Sequence, residues 1–394
     1  MYRLLGGLKD YFKVQDIKTD NAVFRLHNLF TTAILLTCSM IITATQFVGN
    51  PIQCIVNGIP VHVVNTFCWV TSTFTMPDAH KRQVKHLNQS MINSGHIPHP
   101  GIGPSREDEE IIRHAYYQWV PFVLFLQALM FYLPHYVWKQ AEGGRMKAFV
   151  NALQVVALSE YAEDDVQLGN RSIPSKNKTK GVMISARKNF LARVHLMRPW
   201  SVWLVCCELA NAVNVVLQFL VTDVFLSGTF RNLGSRVASQ SMDEMDYLDI
   251  AFPKVTKCDF YKFGPSGSIQ RHDALCVMAL NIINEKIFTF LWYWYIILSI
   301  CTIFGLIYRL MAFVMHARSS WFNRYLFQYA APSSKDYWSM IELTKQMHFS
   351  DWLFLYYFAK NVESFVFRDF FLDLAREMDE RKKPHEHEEE LLPL

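Results

Sequence analysis

Residues 116–138 read YYQWVPFVLFLQALMFYLPHYVW, and this stretch decides the kind of fold the chain adopts. Its centre, residues 120–137, holds no formal charge unless His135 is protonated. At about 1.5 Å per residue, such a helix crosses a hydrocarbon layer roughly 30 Å thick. Tyr116, Tyr117 and Trp119 crowd one end, and Tyr132, Tyr136 and Trp138 the other. Aromatic rings of this type settle at the two headgroup levels. Pro121 falls in the first turn, where a missing N–H costs little. Pro134 lies deeper and is expected to kink the helix. A buried helix of a large soluble protein is the alternative. It gives way because residues 29–48, 201–226 and 286–309 have the same character.

The composition agrees. The chain has 394 residues, 51% of them hydrophobic, with 30 Phe, 17 Tyr and 10 Trp. Charged residues are 19%, below the soluble average of about 25%. A net charge of +4 without a basic block gives no sign of nucleic-acid binding. None of the eight cysteines forms a Cys-x-x-Cys pair, so zinc ribbons and thioredoxin-like chemistry are not expected. No nucleophile–base arrangement, metal-ligand spacing or phosphate loop points to an enzyme or a cofactor.

Four spans divide the chain in order. Residues 1–28 carry Leu4, Leu5, Leu8, Tyr11 and Phe12 at helical spacing, which predicts a short amphipathic helix. It either lies on the membrane surface or tucks into a pore mouth. The first span, 29–48, holds Thr32, Ser39, Thr43 and Gln46 on one helical face. Such a stripe faces protein or water, or its hydroxyls bond back to the helix's own carbonyls. Residues 49–115 form a polar loop with an Asn88-Gln89-Ser90 glycosylation sequon. Of its histidines, His80, His86, His96, His99 and His114 match no metal spacing and read as solvated side chains.

The second span, 116–138, leads into a polar region, 139–200. The first half of that region has apolar helical periodicity, and its Ser/Asn/Lys-rich second half, 169–181, reads as a loop. The third span, 201–226, carries Glu208, Asn211, Asn214 and Gln218 at three-to-four spacing, read as glue between helices. Residues 227–285 form a second loop with alternation around Lys254 to Phe263, which predicts short strands. After the fourth span, 286–309, residues 310–376 read as packed amphipathic helices and residues 377–394 as a disordered charged tail.

Residues 1–28, 139–200 and 316–394 together hold 26 Lys or Arg, against 11 in the two other loops. The positive-inside rule therefore predicts cytoplasmic termini. That topology sorts the cysteines. Cys54 and Cys68 fall in one exterior loop, Cys258 and Cys276 in the other, while Cys38, Cys206, Cys207 and Cys301 lie in spans. Two disulfides are expected outside the cell. Three connectivities are open, including one in which each loop closes on itself.

These residues resemble a known family. Tyr116-Tyr117-Gln118-Trp119-Val120, followed by Tyr132-Leu133-Pro134-His135-Tyr136, is similar to the signature of the innexins, the invertebrate gap-junction proteins. The two-plus-two cysteines fit, as do the 263–267 Phe-Gly-Pro-Ser-Gly, the 281–286 Asn-Ile-Ile-Asn-Glu-Lys, Asp351-Trp352 and Lys360-Asn361. The resemblance covers residues 1 to about 376. It implies an all-α integral membrane protein, a four-span subunit with a small disulfide-braced extracellular α/β domain and a helical cytoplasmic domain. It implies disulfides Cys54–Cys276 and Cys68–Cys258. Subunits would assemble in membrane lipid into a ring of eight that docks on a ring of the adjacent cell at a plasma-membrane junction. The amino-terminal helix would enter the pore, with Met1 and Tyr2 nearest its axis. Thr32, Ser39, Thr43 and Gln46 would then line a wide, weakly selective passage for ions and small metabolites. An unpaired, pannexin-like channel is the main rival, favoured by a glycan on Asn88. A four-span adhesion protein is the second, though it needs neither a polar first span nor so long a folded tail.

Overall fold

The computed structural model describes residues 17–76, 101–103, 110–151, 166–168, 171–173, 176–239, 247–330, 344 and 347–389. Among the described residues, four helices are long and apolar enough to cross a membrane: Ala22–Val48, Val120–Glu142, Arg198–Phe225 and Ala279–Arg318. The first contains a π-helical turn, Leu26–Thr31, between Ala22–Arg25 and Thr32–Val48. The hydroxyl of Thr31 donates to Leu26 O five residues back, at 2.9 Å. The second helix follows a 3-10 turn, Tyr116–Gln118, and has Pro134 inside it.

Helices run beyond two limits expected from sequence. The third is continuous over Lys176–Phe225, so part of 169–181 is helix and not loop. Residues 364–389 form one helix, Ser364–Glu389, which takes in most of the charged tail expected to be disordered. Once a packed segment has nucleated a helix, each added residue gains a backbone hydrogen bond without a new nucleus. Lys, Arg, Glu and Met oppose that extension little.

The chain divides into two compact units. One comprises residues 26–133 and 211–301. Its core includes Leu35, Ile42, Leu124, Phe131, Phe288 and Tyr295, all fully buried. It contains a five-stranded sheet built from β1 (Gln53–Ile55), β2 (Thr73–Thr75), β3 (Ile112–His114), β6 (Val255–Phe263) and β7 (Ile269–Val277). Between them in sequence, β4 (Val166–Leu168) and β5 (Arg171–Ile173) make a separate hairpin. The sheet order is β1-β7-β6-β2-β3. Strands β6 and β7 form a long antiparallel hairpin, Val255 opposite Val277 through Phe263 opposite Ile269. Its turn puts Gly267 at φ +81°, a left-handed backbone that favours glycine. Gly234 is required by space instead: a Cβ there would fall 2.0 Å from the Trp292 ring.

The other unit comprises residues 1–25, 134–210 and 302–394. Its centre is the helix Phe349–Ala359, in which every residue from Ser350 to Ala359 is buried. Such all-round burial explains why the helix is apolar on every side. Trp200 packs edge-on to Trp138 at 5.2 Å and to Phe354 at 5.4 Å. Trp352 donates its indole N–H to Asn323 Oδ1 at 3.0 Å.

Candidate functional site

The disulfides sit where the two long loops meet in the sheet. Cys54 and Cys276 face each other across β1 and β7 and are bonded, as are Cys68 and Cys258. Both bridges join the loop before the second span to the loop before the fourth. Cys68 is carried by the helix Val61–Thr71, which rests on β6 through Phe67 and Phe260, ring centroids 4.8 Å apart. Asn65 Oδ1 accepts from Cys54 N at 2.8 Å and fixes that helix to β1. The sulfurs of Cys54, Cys68 and Cys276 lie within 4.8 Å of one another. They belong to adjoining disulfides, and a metal needs thiolates. Cys38, Cys206, Cys207 and Cys301 form no disulfide. Of the loop histidines, His114 is buried in β3, where its Nε2 lies 2.7 Å from the Thr75 hydroxyl. His80, His86, His96 and His99, together with Asn88, lie outside the described residues, as do Met1 and Tyr2.

The aromatic start of the second span is tied by hydrogen bonds to the segments that flank the sheet. Tyr116 OH donates to Asn281 Oδ1 at 3.2 Å or Ala251 O at 3.3 Å, and Asn281 Nδ2 donates to Pro253 O at 2.8 Å. Gln118 Nε2 donates to Trp69 O. The Tyr117 ring packs on Trp69, with centroids 4.8 Å apart. Lys254, one residue before β6, reaches Asp249 at 2.8 Å and Glu285 at 3.1 Å. Burial works against the Lys254 ammonium, but hydrogen bonds to the two carboxylates outweigh it and raise its pKa above the ordinary lysine value. Trp119 is exposed, and Val120 and Pro134 are buried.

The polar faces of the spans turn toward protein. Ser39 is buried and donates to Pro121 O at 2.9 Å; Gln46 Nε2 donates to Tyr117 O at 3.0 Å. Thr43 bonds back to Ser39 O at 2.8 Å, and Thr32 is buried. Hydroxyls and amides at membrane depth need partners, and the second span's first turn supplies carbonyls to two of them. A different face of the first span stays open: Thr37, Met40, Ile41 and Ala44 are exposed. Among the other spans, Gln127 Nε2 donates to Thr222 Oγ1 at 2.8 Å, and Tyr295 OH donates to Gln127 Oε1 at 3.4 Å. These bonds tie the second, third and fourth spans. Trp294 of the fourth span donates to Thr31 Oγ1 at 3.0 Å and ties in the first.

A second polar cluster lies in the other unit. Arg309, which in the sequence only closes a span, makes a two-pronged pair with Glu208 (Nε–Oε2 2.8 Å, Nη2–Oε1 2.5 Å) and donates to Tyr357 OH at 3.3 Å. Asn21 Nδ2 donates to the same carboxylate at 2.7 Å. Asp20 accepts from Trp138 Nε1 at 2.9 Å, and Asn361 both donates to Lys18 O and accepts from Lys18 N. Residues 18–21, just before the first span, are thus fastened to the helices around them. Sequence reading gave Glu208 a gluing role and missed its partner. The signal was a lone Arg309 within a long apolar run.

With this geometry in hand, the comparisons with known proteins are direct. The innexin family profile matches residues 20–378. The chain belongs to the innexin family. Among its relatives, Innexin inx7 of Drosophila melanogaster is 41% identical over 382 residues, covering 96% of this chain and 85% of that protein. Innexin inx1 of Schistocerca americana is 41% identical over 392 residues, covering 96% and 98%. Innexin shaking-B of Drosophila melanogaster is 35% identical over 384 residues, covering 96% and 95%. Innexins are membrane proteins that form gap-junction channels from several subunits, and four apolar helices suit that membrane location. In this innexin, the tyrosine-rich signature at 116–120 does structural work by joining the second span to the first, to the start of the fourth-span helix and to the segment just before β6.

Proposed function

We propose that this innexin is the subunit of a ring, eight-membered by family resemblance, that docks on a ring of the neighbouring cell and passes ions and small metabolites. The observation that carries the reading is the sheet clamped by two bridges between the loops. Each loop leaves the end of one span and returns at the start of the next. A sheet fixed this firmly can act as a rigid docking surface, and the sidedness inferred from Lys and Arg places it outside the cell, with both termini inside.

The passage we propose runs along the open face of the first span. In the second, third and fourth spans, the exposed membrane-depth side chains are almost all large and apolar, such as Phe122, Leu129, Val216, Ile300 and Phe304. The open face of the first span differs in setting Thr37 and Ala44 among its apolar side chains, Phe30, Met40, Ile41, Phe47 and Val48. Small and hydroxyl-bearing side chains suit a wall facing water. This reading replaces the expected lining by Thr32, Ser39, Thr43 and Gln46, because those side chains spend their hydrogen bonds or their surface inside the subunit. The amino-terminal helix expected from sequence, which lies outside the described residues, enters the pore mouth in this reading. The face has no fixed charge, which gives weak selectivity. Electron microscopy of purified particles tests the proposal. Rings stacked in pairs support it, single rings transfer the reading to an unpaired channel, and isolated subunits reject both.

A further inference from the structure

The helix Ser320–Ala330 begins one residue after the helix of the fourth span ends at Arg318. Its inner face is accounted for. Phe322, Asn323, Leu326 and Phe327 are buried, and Phe327 stacks on Phe367 with ring centroids 6.1 Å apart. Its outer face is exposed. Trp321, Tyr325 and Tyr329 recur every fourth residue and are 73%, 62% and 75% exposed. The Trp321 and Tyr325 rings stack at 5.9 Å and 14°. With Arg324 and Gln328 they line an open recess of about 230 Å³.

We propose that this outer face lies in the headgroup layer of the membrane and binds anionic phospholipid headgroups. Three observations choose that occupant. The exposed apolar belt of the fourth span runs through Phe313 and Val314, so the next helix starts at about headgroup depth. The outer face carries Trp, Tyr and Arg without an exposed Leu, Ile, Val or Phe. That is the composition of the aromatic belt and not of a hydrocarbon-facing helix. Residues 286–335 include no Asp or Glu, whereas Arg318 and Arg324 are both exposed. A face with cations and no acids complements an anionic leaflet. In this position the aromatic rings set the depth, while the two guanidiniums take up phosphate or carboxylate oxygens. The inference rests on the fourth span crossing the membrane and holds for paired or single rings.

The test uses the full chain reconstituted in phosphatidylcholine nanodiscs with and without phosphatidylserine. A photo-crosslinking phenylalanine derivative replaces Tyr325 or Tyr329, and products are read by mass spectrometry. The expected result is a phospholipid adduct, enriched in phosphatidylserine. That enrichment should fall several-fold in the Arg318→Gln, Arg324→Gln double variant while the melting temperature stays unchanged. A crosslink between two chains would overturn the proposal in favour of a contact between subunits. Absence of any adduct would overturn it in favour of a water-facing helix. Adducts without phosphatidylserine enrichment would overturn the anionic specificity.

Discussion

Ser39 and Thr37 are two residues apart on one helix and have different surroundings. Ser39 donates to Pro121 O and is buried, whereas Thr37 is exposed and bonds back to Ala33 O at 2.8 Å. If the open face lines the passage, cysteines replacing Thr37 or Ala44 should react quickly with a charged, water-soluble thiol reagent and lower the conductance. Cysteines replacing Ser39 or Thr43 should react at least tenfold more slowly, because a thiolate forms only where water reaches it. Equal rates on both faces would remove the distinction. The sequence displayed the stripe of Thr32, Ser39, Thr43 and Gln46 plainly, but it could not say which neighbour the stripe met. A hydroxyl facing water and one facing a carbonyl leave the same pattern. Glu208 and Arg309 had the same difficulty, being far apart in sequence and adjacent in the fold. Removing one partner of such a buried pair leaves an unpaired charge, at a cost of about 3–5 kcal/mol. Arg309→Leu should therefore lower the melting temperature sharply, and Glu208→Leu combined with it should restore much of the loss. A double variant as unstable as the sum of the singles would deny the coupling.

At the scale of elements, the spans were legible because hydrophobic length is a local property. The cysteine framework was half legible. Spacing put two cysteines in each loop and left three connectivities open; the resemblance implied pairing between loops, and in the structure Cys54 lies opposite Cys276 in register and is bonded to it. The anchoring of the second span to the segments beside the sheet was hidden in the signature itself. Asn281→Leu should cost about 1–3 kcal/mol by leaving Pro253 O without its donor and Asn284 Nδ2 without its acceptor, while Tyr116 OH keeps only Ala251 O. Tyr116→Phe should cost less, since it also takes away the group needing satisfaction. Thermal melts of the detergent-solubilised protein would rank them, and the reverse order would count against this anchoring role. Each disulfide contributes about 2–5 kcal/mol by restraining the unfolded chain. Cys54→Ser or Cys258→Ser should thus abolish docking of rings while leaving the four spans inserted. Coupling at normal levels in either variant would contradict the rigid-surface reading.

At the scale of the whole molecule, composition and the spacing of apolar runs identify a membrane protein, and the family match makes it an innexin. Ring size and docking belong to the assembly, since no single chain displays a passage formed by several. Orientation is accessible to a simple assay. Asn170 and Asn177 also begin sequons, but they fall in the region proposed to be cytoplasmic and should carry no glycan, whereas Asn88 can. A glycosidase shift lost on Asn170→Gln or Asn177→Gln would invert the topology.

The most direct test of the central claim is dual voltage clamp on pairs of otherwise uncoupled cells, both expressing this chain at the surface. The account predicts junctional conductance between the cells, passage of a small dye, and loss of both with Cys54→Ser. Robust current across each cell's own membrane with no conductance between the cells would contradict it.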